Sequence, residues 1–110
     1  MSTAAPPQPV VLRLAIVARP GQRQALLDFL REAAPYYEAP GGIRMRLLQD
    51  ANHPDKFIEE FEYATSEAFQ ADNLRVETDP VMKSYLDRWR ALLLDKAEVT
   101  VFHDVTSQIR

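Results

Sequence analysis

Apolar residues alternate in some stretches of the chain and recur at helical spacing in others. From Val10 to Arg19 the sequence is β-branched and apolar, with Arg13 and Arg19 on alternate positions, which predicts a strand ended by Pro20-Gly21. From Gln22 to about Glu38, Leu26, Leu30, Ala33, Ala34 and Tyr37 fall on one stripe of an amphipathic helix. Pro35 removes a helical hydrogen bond there and should kink or tighten the last turn, and Pro40-Gly41-Gly42 closes the unit. Ile43, Met45 and Leu47 alternate with Arg44 and Arg46 in a second strand, Ile43 to Gln49. Asp50 to Asp55 is rich in turn residues, so Lys56 to Tyr63 is expected to return as the hairpin partner. Its faces are Phe57, Glu59, Phe61 and Tyr63 against Ile58, Glu60 and Glu62. Thr65 reads as the N-cap of a short helix carrying Ala68, Phe69, Asp72 and Val76. Asp79-Pro80 reads as the cap and first residue of another, whose stripe is Met82, Tyr85, Leu86, Trp89, Leu92 and Leu93. Ala97 to Val105 is the last predicted strand.

The order β-α-β-β-α-β, with the second helical region split, predicts an α+β, ferredoxin-like fold: a four-stranded antiparallel sheet with helices on one face. The other face would carry Arg13, Arg44 and Arg46 with Glu60 and Glu62, beside Val17, Leu48, Ile58 and Phe102. Opposite charges on neighbouring strands pair across a sheet. Either this is a solvated face with scattered apolar residues, or a second copy covers it. The mixture of pairable charges and large apolar side chains favours a homodimer whose two sheets form a barrel.

Composition narrows the partners. At 110 residues there is room for one domain, and an apolar fraction of 46% is too high for a disordered chain. Thirteen basic and 16 acidic residues are interspersed, for a formal net charge of -3, which argues against nucleic acid as a partner. There is no cysteine, so thiolate nucleophiles, disulfides, thiol-ligated zinc and iron–sulfur clusters are excluded; a cytoplasmic location fits. No segment reaches the ~20 apolar residues of a membrane span, and no membrane partner is expected. Residues 1–9, with Pro6, Pro7 and Pro9, are expected to be a disordered tail without the features of a signal peptide. Residues 10–105 form the domain and 106–110 a C-terminal tail.

Candidate chemistry is sparse. His103 shares a face with Val99 and Val101, the face assigned to the helices. It is either a general base, since imidazole titrates near neutrality, or a hydrogen-bonded histidine of the core or sheet end. His53 precedes a proline in a turn and reads as a loop residue. The two histidines do not share a metal-ligand spacing, and no metal is expected. Glu59 and Tyr63 lie on the aromatic face with Phe57 and Phe61. There Glu59 is either a desolvated base, or it reaches an edge of the sheet or pairs with an arginine. Tyr36, Tyr37, Phe61, Phe69, Tyr85 and Trp89 are either core or the wall of a pocket for a planar ligand. Asn73 and Arg75 would offer polar contacts at its mouth, although Arg75 otherwise reads as a surface charge. A glycine-rich phosphate loop and a nucleophile elbow are both missing.

One stretch carries a family likeness. Phe57-Ile58-Glu59-Glu60-Phe61-Glu62-Tyr63 is followed by Thr65-Ser66-Glu67-Ala68-Phe69 and a capped helix ending in Trp89-Arg90-Ala91-Leu92-Leu93. Preceded by a strand, Pro20-Gly21 and an amphipathic helix, this resembles the antibiotic-biosynthesis-monooxygenase-like family of the dimeric α/β-barrel superfamily, over residues 10–105. The resemblance implies a small-molecule pocket between sheet and helices. Some members oxidise aromatic polyketides or quinols with dioxygen and no cofactor, and others degrade haem. The histidine that members with assigned chemistry often carry after the alanine-rich turn is replaced here by Ala71-Asp72-Asn73. Phe61 or Tyr63 stands near the place of the strand tryptophan of haem-degrading members. The resemblance therefore implies a cofactor-independent monooxygenase acting on a small aromatic or quinol-like molecule, with His103, Glu59 and Tyr63 as catalytic candidates and no cofactor. The alternative is a noncatalytic dimeric small-molecule-binding or stress-related module of the same fold. An open pocket would favour the first, and one packed shut by Trp89, Phe69 and Tyr63 the second.

Overall fold

The computed structural model describes residues 8–110. The expected N-terminal tail therefore lies outside the described residues, apart from Gln8 and Pro9. Strand β1 (Val10–Val17) is followed by α1 (Arg23–Glu38), β2 (Ile43–Asp50), β3 (His53–Tyr63), α2 (Ser66–Thr78), α3 (Pro80–Ala91) and β4 (Glu98–His103). A short 3₁₀ turn spans Thr106–Ile109. The strands form one antiparallel sheet in the order β2-β3-β1-β4, the predicted ferredoxin-like arrangement.

Register fixes the two faces. Arg13 lies opposite Glu60 and Thr100, and Glu60 opposite Arg46, so these residues share the face without helices. Leu14 lies opposite Glu59 and Val99, and Leu12 opposite Phe61 and Val101, on the helical face. There Val10, Ile16, Ile43, Phe57, Phe61 and Tyr63 are buried against Leu26, Phe29, Leu30, Ala33 and Tyr37 of α1 and Met82 and Trp89 of α3. Each buried valine, leucine, isoleucine, phenylalanine or methionine among them contributes roughly 1.5–3 kcal/mol.

Local chemistry sets the element ends. Thr65 accepts from the Ala68 amide at 3.1 Å and Asp79 from the Val81 amide at 2.9 Å, so both predicted N-caps form. Helix α1 winds through Pro35, and its end tightens into an i→i+3 bond from the Ala39 amide to the Tyr36 carbonyl. Gly41 and Gly42 then take positive φ, which a side chain would oppose.

Three expectations need correction. The turn after β2 is only Ala51-Asn52, because an irregularity at Gln49/Asp50 lets the ladder resume at His53. His53 is thus an exposed strand residue, not part of a loop. Helix α2 is a 13-residue helix rather than a short one. Val99, Val101 and His103 do lie on the helical face by register, but no helix covers them, and every residue of β4 is exposed. Helix α3 ends at Ala91, and the chain returns over the end of β1 through an Ala18–Leu93 bridge.

Candidate functional site

Beneath the helices, Glu59 is the one charged side chain buried on the inner sheet face among the described residues. Strand alternation points it inward between Phe57 and Phe61. Its Oε2 accepts a hydrogen bond from the Trp89 indole Nε1 at 2.5 Å. Burial pushes its pKa up from 4.5 to about 7, and the Trp89 bond only partly opposes this. No second donor among the described residues reaches it.

A cavity of about 80 Å³ adjoins this carboxylate. Leu12 and Leu14 of β1, Phe61 and Tyr63 of β3, Tyr37 of α1, Asp72 and Val76 of α2, and Met82, Leu86 and Trp89 of α3 complete its wall. The Tyr37 hydroxyl has no hydrogen-bond partner among the described residues, yet no sealed side-chain polar atom lacks one. Tyr37 itself is part of the cavity wall. Burial first, and the Glu59 charge second, push the Tyr37 pKa up, so it stays a proton donor. The Tyr63 hydroxyl is committed instead: it donates to Asp72 Oδ2 at 2.5 Å, and burial and that bond push its pKa up.

Asp72 is held in turn by Arg75, with Nη2 3.0 Å from Oδ1. Arg75 also donates to the carbonyls of Tyr36 and Tyr37 at 3.0 and 2.9 Å. It adds a side-chain donor to the Tyr36 carbonyl, which also accepts from the Ala39 amide, and to the Tyr37 carbonyl in the last turn of α1. The surface-charge reading of Arg75 fails for this reason: the residue ties α2 to α1 and holds the cavity wall together. The Tyr36 hydroxyl makes a parallel tie to Asp79, the cap of α3.

Leu12, Leu14, Val76, Leu86 and Trp89 also line a second, wider space of about 920 Å³, a groove beside β4 that adjoins the inner cavity. Phe69 and Asn73 stand on that groove, and Phe69 meets Tyr63 edge-on at 5.2 Å. Of the residues singled out from the sequence, Glu59, Tyr63, Tyr37, Phe61 and Trp89 therefore converge on the inner cavity. Tyr85 does not; it packs among Phe29, Tyr36 and Tyr37 between α1 and α3. His103 lies opposite Val10, four positions along β4 from Val99 in the Glu59 row, and is exposed. Leu12, Leu14, Met82 and Leu86 were missing from the candidates. Their only signal is membership of the inward faces, which they share with ordinary core residues.

The family model described as antibiotic biosynthesis monooxygenase matches residues 9–71, more than half of the chain. That stretch contains Glu59 and Tyr63 but not Trp89. No curated protein matches the chain. Among solved structures, a candidate antibiotic biosynthesis monooxygenase from Nitrosomonas europaea superposes with a TM-score of 0.75 at 15% identity, covering 94% of this chain and 96% of that one. One of the same description from Chloroflexus aurantiacus gives 0.67 at 23%, covering 88% and 93%. A variant of SnoaB, described as a cofactor-independent oxygenase from Streptomyces nogalater, gives 0.72 at 16%, covering 86% and 90%. These likenesses carry the fold, and the family match goes further: the chain belongs to the antibiotic biosynthesis monooxygenase family.

Proposed function

We propose that the protein is a cofactor-independent monooxygenase acting on a small aromatic or quinol-like molecule, with Glu59 as the base. The observation that carries this reading is a solitary buried carboxylate, with a pKa raised to about 7, beside an apolar cavity that opens outward. Oxidation of a phenol or hydroquinone by dioxygen begins with loss of a hydroxyl proton, because the anion is the electron-rich species. A carboxylate poised near neutrality takes that proton far better than an ordinary one. The Tyr37 hydroxyl, unpartnered and close enough for Glu59 to influence it, donates to the oxygen where charge develops. The apolar walls keep water from the anion. The inner cavity admits the reacting edge of a ring while the ring's body lies in the groove.

The test is oxygen uptake by the purified protein with a panel of dihydroxyaromatics. Glu59→Gln keeps an acceptor for Trp89 but removes the base, and is expected to lower the rate by roughly 10²–10⁴-fold. Uptake should rise with pH through about 7 as Glu59 ionises. No uptake from any member, or an unimpaired Glu59→Gln, would overturn the reading in favour of a binding module.

A homodimer through the helix-free sheet face belongs to the same proposal. Arg13 and Arg46 already neutralise Glu60 there, which leaves Val17, Leu48, Ile58 and Phe102 as the apolar remainder. Sedimentation at micromolar concentration should give about twice 12.6 kDa, and Phe102→Asp should shift it toward monomer. Among the described residues no helix is long and apolar enough to cross a membrane. The cysteine-free sequence supports a cytoplasmic location.

A further inference from the structure

The groove beside β4 has a chemistry of its own. Its floor is apolar, with Val99 and Val101 of β4 and Leu93 beside Trp89. One end is cationic. Backbone bonds from the Arg19 amide to the Leu92 carbonyl at 3.0 Å, and from the Leu94 amide to the Val17 carbonyl at 2.8 Å, lock the end of β1 to the chain leaving α3. That junction gathers Arg19, Arg90 and Lys96 on the groove, against one acid, Asp95. Arg19 and Lys96 form no ion pair among the described residues, and Arg90 reaches only the exposed Asp87 at 3.6 Å. In a chain of net charge -3, an apolar groove with three cations at one end selects by charge as well as by shape.

We propose that this groove binds an elongated aromatic acid, with Arg19, Arg90 and Lys96 receiving its carboxylate and the far end of the ring system reaching the inner cavity. Glu59 sits opposite Leu14, and Arg19 lies five positions further along the same chain, roughly 15 Å away at strand spacing. A single ring does not span that distance; two or more fused rings, met by extended arginine side chains, do. The proposal rests on the reading of the inner cavity as a substrate pocket, but its test reads binding rather than turnover.

The probes are 2-naphthoate and its neutral counterpart 2-naphthamide, titrated calorimetrically into the full chain. Trp89 is the sole tryptophan and lines both spaces, so its indole N–H resonance reports whether a probe enters the groove. The acid is expected to bind at least about tenfold more tightly than the amide, to move the indole signal, and to lose its advantage as salt rises. In Arg19→Gln/Lys96→Gln, two exposed positions, the preference should collapse while amide binding persists, which also shows that the variant is folded. Equal affinities, a preference that survives the double substitution, or an indole signal that neither probe moves would each overturn the proposal. Selective binding without oxygen uptake would leave the groove assignment standing and remove the oxygenase reading alone.

Discussion

On β3, Glu59 and Glu60 are successive residues of the same type, exposed by only 1% and 2%, and the pleat sends them to opposite faces of the sheet. On the inner face, Glu59 accepts one hydrogen bond, from the Trp89 indole, with no cation paired to it among the described residues, and burial pushes its pKa up to about 7. On the outer face, burial acts on Glu60 in the same direction, but hydrogen bonds from Arg46 and Arg13 outweigh it and hold its pKa below the ordinary carboxylate range. Arg13 Nε reaches Oε2 at 2.8 Å and Arg46 Nη2 reaches Oε1 at 2.5 Å, so both oxygens are taken by charge-assisted bonds. Burial alone therefore does not make a carboxylate reactive; what decides is whether the fold brings it a counter-charge. One face of the strand has a structural glutamate and the other a strained one, and a strained group at a cavity is where catalytic capacity is expected.

Replacing each glutamate by glutamine should move stability in opposite directions. Glu59 has the larger expected effect. Its folded-state pKa lies above its unfolded value of 4.5, so on raising the pH the unfolded chain releases its proton first. Stability falls from about pH 4.5 to about 7, and the full cost is present above that. Glu59→Gln removes it, and should stabilise by as much as about 3 kcal/mol at pH 8 and by almost nothing at pH 4. Urea unfolding at the two pH values checks both the size and the slope. A destabilised variant at pH 8 would mean that the carboxylate has a counter-charge after all.

Glu60→Gln should cost about 2 kcal/mol at pH 7. The amide has one acceptor for two guanidinium groups, and its NH₂ faces the other as donor against donor. A depressed pKa contributes stability above the unfolded value and loses it as pH falls through the folded one. The penalty should therefore fade under acid conditions, the reverse of the Glu59 trend. Equal stability of parent and variant at pH 7 in the same urea series would show that the arginines do not hold Glu60.

The difference between the two glutamates was only half legible in the sequence. Alternation along Phe57 to Tyr63 assigns each to its face, and the arginines at Arg13, Arg44 and Arg46 on partner strands foretell counter-charges for the outer one. Nothing local marks Trp89 as the donor to Glu59. It stands 30 residues away in an apolar helical stripe, where a tryptophan ordinarily only packs. Arg75 is concealed in the same way, since its partners are the carbonyls of Tyr36 and Tyr37 near the end of a distant helix. At β4 the period shows which side Val99 and Val101 occupy, but not that the helical layer stops short of them. That gap, which leaves the groove beside the inner cavity, is a property of helix lengths and chain return. Side-chain pattern carries no record of it.

Trp89→Phe gives the smallest of these effects and bears most directly on the comparison. Phenylalanine keeps most of the apolar wall between the cavity and the groove, so the shape of the site changes little. It removes the one hydrogen bond that favours the charged form of Glu59. A bond to a charged group is worth about 1.5–3 kcal/mol, and about 1.4 kcal/mol corresponds to one pH unit. The midpoint of Glu59 ionisation should therefore rise by about one pH unit or more, carrying it above 7 and further from Glu60. The carboxyl carbon resonance of Glu59, followed against pH, reads this without a substrate. If the oxygenase reading holds, the rising limb of the rate profile moves with it, and activity at pH 7 falls while activity at pH 9 is largely kept. A purely structural role for the indole would lower stability at every pH and leave the midpoint unmoved. An unmoved midpoint in a folded variant would thus show that burial alone sets the Glu59 charge.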